Sequence, residues 1–208
     1  MASKKKSLVK DGLYGLALET RARIRLVSWT AALLWAIELV DFVVFSGGLD
    51  AFGVRPLAVS GLMGIVFAPF LHGGFGHLMA NTLPWLILGF LTTGRKRLDF
   101  WVVVVASTLT AGLGTWIFGG MGTVHIGASG VVFGFLGFLM GRGFWERRLG
   151  TILLSLVVTG LFGSMLWGMV PVVAGVGISW QGHLFGWLGG LLVARTLGRG
   201  LTDDPKRG

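Results

Sequence analysis

The chain has 208 residues, 53% of them hydrophobic and only 13% charged, with a formal net charge of +9. Soluble domains carry about 25% charged residues, so this composition lacks the polar surface that a water-soluble fold needs. There is no cysteine, which excludes disulfides, thiolate metal sites and a cysteine nucleophile, and the 36 glycines sit inside apolar runs without a Gly-X-Y period, as in packed membrane helices.

The elements follow from the apolar runs. Residues 1–23 are basic (Lys4, Lys5, Lys6, Lys10, Arg21, Arg23) and read as a cytoplasmic tail. The first run, Ile24 to Phe45, is about 22 residues long, enough to span a bilayer and too long for a secretory core segment. No small-residue cleavage site stands out, so an uncleaved first span is expected. A turn-rich stretch, 46–60, contains Gly47-Gly48 and Arg55-Pro56.

Gly61 to Leu91 is then apolar for about 31 residues, long for one span and short for two. Pro69 and Gly73-Gly74 divide it into a partly embedded interfacial loop, 61–75, and a second helix, 76–92. Gly94-Arg95-Lys96-Arg97 follows. The third run is Leu98 to Phe118. The fourth, Gly127 to Met140, is closed by Arg142, Arg147 and Arg148. The fifth is about Thr151 to Val170, ended by Pro171. The sixth is Ile178 to Ala194, followed by Arg195, Arg199 and a tail, 198–208. The expectation is an all-α membrane protein with six spans over 24–197.

Six spans put both termini on one side. By this count 17 of the 18 Lys and Arg residues lie there, and only Arg55 lies opposite. The positive-inside rule makes the populated side cytoplasmic. The charge therefore reads as topology signal in short clusters, with no continuous basic face for nucleic acid.

All four histidines, His72, His77, His125 and His183, then fall in the outer half, with Ser129 and Asn81. At 1.5 Å rise per residue, Ser129 stands about 20 Å above Arg142, His183 about 18 Å above Arg195 and Asn81 about 21 Å above Arg95. In a core about 30 Å thick, the three share one level, on the order of 10 Å below the outer face. Gly130-x3-Gly134 and Gly137-x3-Gly141 in span 4, and Gly182-x3-Gly186-x3-Gly190 in span 6, form flat strips that let backbones approach. Close contact of these two spans would bring Ser129 toward His183.

A serine needs a base to take its proton, and His183 is suited to that near pH 7. The N–H groups at Gly127-Ala128-Ser129-Gly130, where span 4 starts, could hold an oxyanion. His77 and Asn81, four apart on one helix face, could donate to the same oxyanion. Nucleophile, base and donors together suit acyl transfer. No acid neighbours His183 in sequence. Glu38, Asp41 or Asp50 could complete a triad, but a Ser–His dyad is the preferred reading. Glu38 and Asp41 otherwise cap the loop after span 1 or pair with Arg55, and His125 reads as an interfacial loop residue.

The pattern His72-x4-His77-x3-Asn81, the element Gly127-Ala128-Ser129-Gly130 and Gly182-His183-x2-Gly186-x3-Gly190 resemble, in order and on the expected helices, the three motifs of the rhomboid intramembrane serine proteases. The resemblance covers about 24–195 and implies the minimal six-helix form. It implies Ser129 as nucleophile, His183 as base, and an oxyanion hole of His77, Asn81 and the Ser129 N–H, lined by Gly127. It further implies that His72 ties down the loop before span 2, that Phe133 packs on the His183 ring where many relatives carry Tyr, and that Gly186 supports the contact between helices. The family's Trp-Arg loop signature is absent; Phe52-Gly53-Val54-Arg55 stands in its place.

The implied activity is endopeptidase cleavage of transmembrane segments in a cell membrane, with the site open to the extracytoplasmic side. It needs no metal or cofactor, and its partners are transmembrane protein substrates and the bilayer. No oligomeric state is read from the sequence. A transporter using the outer histidines and acids is the alternative, although the spans show no internal repeat and the reactive groups avoid the midplane. A catalytically dead relative would lack Ser129 or His183, and both are present.

Overall fold

The structure is a computed structural model that describes residues 2–173 and 177–202, with side chains over 12–173 and 177–198. The Lys4–Lys10 side chains and the tail beyond residue 202 lie outside the described residues. Seven α-helices are present among the described residues: α1 (Ala2–Val40), α2 (Gly64–Phe67), α3 (Phe75–Thr92), α4 (Arg97–Phe118), α5 (Ser129–Glu146), α6 (Leu149–Phe162) and α7 (Trp180–Thr202). No β-strand is found there, only an isolated bridge between Val54 and His125.

The chain is an integral membrane protein, and its surface shows why. Leu33, Val105, Leu109, Leu113, Leu153, Leu156 and Leu161 are all exposed. Exposed apolar side chains on three helices, α1, α4 and α6, would promote aggregation in water and are at rest against lipid. The α6 span has the highest mean hydropathy, 2.0, yet only 11% of it is buried. Three segments are long and apolar enough to cross a membrane: Gly12–Phe45, Arg97–Phe118 and Leu149–Met169. The bent pair Val59–Phe70 and Phe75–Thr92, meeting at 66°, makes a fourth if counted as one span. α5, which carries Arg142 and Glu146, and α7, which carries Gln181, His183 and Arg195, are not among them, so of the six spans expected three or four meet this measure among the described residues.

Three sequence expectations shift. First, α1 begins at Ala2 and not near Ile24, so the basic segment is helical; its Leu, Ala, Lys and Glu content favours helix, and Glu19 pairs with Arg23 one turn on, at 3.3 Å. Second, the expected embedded loop 61–75 is mostly a chain of short turns, Val59–Gly61, Gly64–Phe67 and Ala68–Phe70. Local turns satisfy backbone groups that lipid cannot. Third, α5 continues beyond Met140 to Glu146. Arg142 is buried inside it, paired with Glu146 at 2.7 and 3.1 Å and 5.7 Å from the centroid of the Phe138 ring. An arginine neutralised this way remains within the bundle, so Arg142 is more than a topology charge.

α5 is the central helix. Its residues from Val131 to Leu139 are all buried, which suits a helix that is apolar all round. Lipid gives no hydrophobic drive for helix association, so close packing must hold the bundle together. The α5–α7 contact is the most extensive. Along it Gly186 faces the Gly130 carbonyl, Gly190 faces the Gly134 carbonyl, and Gly137 faces the Trp187 carbonyl, each too close for a Cβ. The glycine strips expected to meet do meet. α3 joins through Trp85 and Phe135, 5.4 Å apart edge to face. Trp35 Nε1 donates to Thr82 (3.0 Å) and Trp85 Nε1 to Thr30 (3.1 Å), tying α1 to α3 with the polar atoms satisfied.

Candidate active site

The N-termini of α3, α5 and α7 converge at one end of the bundle, around a cavity of about 520 Å3. His77 and Asn81 enter it from α3, Ser129 and Phe133 from α5, and His183 from α7. Gly73, Ile126 and Ser179 close it from the loops, and Met165 from the turn after α6. The three positive helix ends favour negative charge developing between them. The equal depth estimated for Asn81, Ser129 and His183 agrees with their sharing this cavity.

Ser129 opens α5, and its Oγ lies 2.9 Å from His183 Nε2. The other ring nitrogen, Nδ1, is 3.0 Å from the Gly168 carbonyl oxygen. Phe133, one turn along α5, stacks on the His183 ring at 4.1 Å and 10°. The imidazole is thus held at both nitrogens and on one face. Among the described residues no acid bonds it. Asp41 instead accepts the Leu49 N–H at 2.9 Å and caps the loop after α1. Arg55 donates to the Ala51 carbonyl (3.2 Å) and forms no ion pair with Glu38 or Asp41. Of the two roles open to Asp41 in the sequence, the cap is the one seen.

The backbone leading into Ser129 is pinned from the α2 side. Gly127 N–H donates to the Ala68 carbonyl at 2.8 Å. Ala128 N–H donates to His72 Nε2 at 3.3 Å. His72 is buried and lies edge-on to His77, with ring centroids 5.2 Å apart. It therefore supports the Ser129 loop from behind and does not line the cavity. The N–H of Ser129, in the first helical turn, has no intrahelical acceptor. Gly127 has φ +117°, and a Cβ there would come within 2.6 Å of the His77 ring, so glycine is required twice over. Asn81 gives one amide proton to the His77 carbonyl (3.2 Å), which leaves the second for another acceptor. Gly186 lies one turn inside, against Gly130, and sets how near α7 comes.

His125 also lines the cavity and shares its Nε2 with Thr123 Oγ1 at 2.7 Å. Burial pushes its imidazole pKa below the usual range. Its backbone exchanges two hydrogen bonds with Val54, both 2.9 Å. The segment that replaces the Trp-Arg signature is therefore stitched directly to the loop before Ser129. Gly53 allows this, since a Cβ there would lie 2.5 Å from Ile126 and 2.7 Å from the His125 carbonyl. Sequence reasoning missed this seam and the Gly168 acceptor. In both places a glycine in a turn marked a close approach.

A family model described as the Rhomboid domain matches residues 59–200. An uncharacterized protein of Mycobacterium tuberculosis is 45% identical over 174 residues, which cover 80% of this chain and 71% of that protein. A Mycobacterium leprae protein, also uncharacterized, is 39% identical over 191 residues, 84% of this chain and 75% of its own length. A Bacillus subtilis protein whose name assigns it provisionally to the rhomboid proteases is 29% identical over 126 residues, 60% of this chain and 61% of that protein.

Proposed function

This chain belongs to the rhomboid family of intramembrane serine proteases, and on that premise we propose that it is itself a serine endopeptidase that cuts transmembrane segments of membrane proteins with a Ser129–His183 dyad. The observation that carries the reading is the 2.9 Å contact between Ser129 Oγ and His183 Nε2 inside a roomy cavity. His183 Nε2 takes the hydroxyl proton as Oγ bonds to the scissile carbonyl carbon. The oxyanion is received by the Ser129 N–H, His77 and Asn81. As the C–N bond breaks, the proton on Nε2 passes to the leaving amine. Water then attacks the acyl-enzyme, giving one proton to His183; as the C–Oγ bond breaks, Ser129 Oγ takes that proton back, and the carboxylic acid product leaves and ionises in water.

The dyad works at the level of the helix N-termini, about 20 Å from the basic ends. With six crossings and the basic clusters cytoplasmic, water reaches Ser129 from the extracytoplasmic side of a cell membrane. A helical substrate must unwind there, since its peptide bonds are shielded, and helix-breaking residues near the cleavage site help. The family match does not favour the transporter reading.

The test is a fluorophosphonate probe on the detergent-solubilised chain, with cleavage of a single-pass substrate in proteoliposomes. Wild type is expected to label and cleave, and Ser129→Ala to do neither. Labelling that survives in Ser129→Ala ends the assignment. His77→Ala is expected to lower kcat by about 10²-fold while the melting temperature stays close to wild type, as for loss of one oxyanion donor. Collapse of the fold would make His77 a packing residue instead.

A further inference from the structure

A carbonyl oxygen has no proton to give. His183 Nδ1, at 3.0 Å from the Gly168 carbonyl, therefore carries the hydrogen of this bond. In the neutral ring Nε2 is then the lone-pair nitrogen, and the 2.9 Å contact with Ser129 is donated by Oγ. This is the tautomer a base must have. In a Ser–His–acid triad a carboxylate enforces it; in this cavity the only acceptor seen at Nδ1, among the described residues, is main chain.

Gly168 belongs to the 3-10 turn Gly163–Met169, which continues α6. α6 lies at the edge of the bundle, packed against α5 and against this turn. The turn in turn packs against α7. Residue 168 sits so near the base that a Cβ would lie 3.1 Å from His183 Nδ1 and 3.4 Å from Phe133. Its backbone needs no positive φ, so the limit is contact and not local strain. Met165, from the same turn, lines the cavity.

We propose that the Gly168 main chain is the positioning group of the base: the Gly163–Met169 turn sets the His183 tautomer by docking its carbonyl on Nδ1. The proposal rests on reading Ser129 and His183 as nucleophile and base. It adds that the group holding the base in this tautomer comes from the turn that continues α6, packed against α7.

Full-length protein carrying 15N-labelled histidine, in detergent at a pH where the ring is neutral, tests this directly. Ring signals are assigned by single His replacements. Wild-type His183 is expected to show a protonated Nδ1 and an unprotonated Nε2; the opposite tautomer overturns the proposal without any variant having to fold. Gly168→Ala is expected to lose that preference and to react with the fluorophosphonate probe at least ~10-fold more slowly. A slower reaction with the tautomer unchanged makes Gly168 merely structural and overturns the proposal, as does an unchanged rate. Labelling in Ser129→Ala would instead defeat the dyad itself, a separate outcome from either of these.

Discussion

His183→Ala is expected to reduce cleavage of a transmembrane substrate by ~10⁴-fold or more while the protein still folds. The ring takes the serine proton, and among the described residues the one hydrogen-bond partner of Ser129 Oγ is His183 Nε2 at 2.9 Å. Its structural share is smaller. It stacks on Phe133 and bonds one carbonyl, and it is only part-buried, so truncation costs about 1–3 kcal/mol of stability. Activity and stability should therefore separate, which kcat/KM in proteoliposomes and a melting curve on the same preparation would reveal. Combined with Ser129→Ala, the loss should be no deeper than for either change alone, since the two groups act as one unit. A single variant within tenfold of wild type would refute His183 as the base.

Gly186→Val is expected to damage both fold and activity. A Cβ at 186 meets the Gly130 carbonyl oxygen, closer than real side chains approach. That obstacle is backbone and cannot swing aside. α7 must move away from α5, at a cost of about 1–3 kcal/mol or more for overpacking. Gly130 follows Ser129, and Gly186 lies three residues beyond His183, so the separation falls on the dyad. A displacement of about 1 Å there is enough to lose ~10²-fold in rate. Gly160→Ala is the control. Its Cβ meets nothing within 4 Å on the edge helix, so it should be neutral or slightly stabilising. Wild-type turnover in Gly186→Val would mean that the glycine strip does not set the distance between Ser129 and His183.

Much of the fold was legible because its signals are local. Apolar runs separated by Arg clusters marked α1 and α3 to α7 within a few residues at most ends, since transfer to lipid depends on the residues of each segment alone. The four-residue glycine spacings foretold the α5–α7 contact for a similar reason: spacing fixes which residues share a helix face. The exceptions are equally physical. Nothing in 1–23 announces a membrane, but its helix formers extend α1 to Ala2. Arg142 looked like an end marker, and only its pairing with Glu146 shows that a charge can stay within the bundle.

The sequence by itself determined the chemistry on offer: Ser129, His183 and Asn81, estimated at nearly equal depth on three helices, with no cysteine to compete. It also determined the family, through three motifs in order. Only the tertiary structure decided how these groups meet. It put His72 behind the Ser129 loop and not in the cavity, tied Val54 to His125, and supplied the partner of His183 Nδ1. Side chains leave their mark in the sequence because each type carries its own chemistry. A backbone carbonyl is carried by every residue, so which one reaches the base is settled only by how the helices pack.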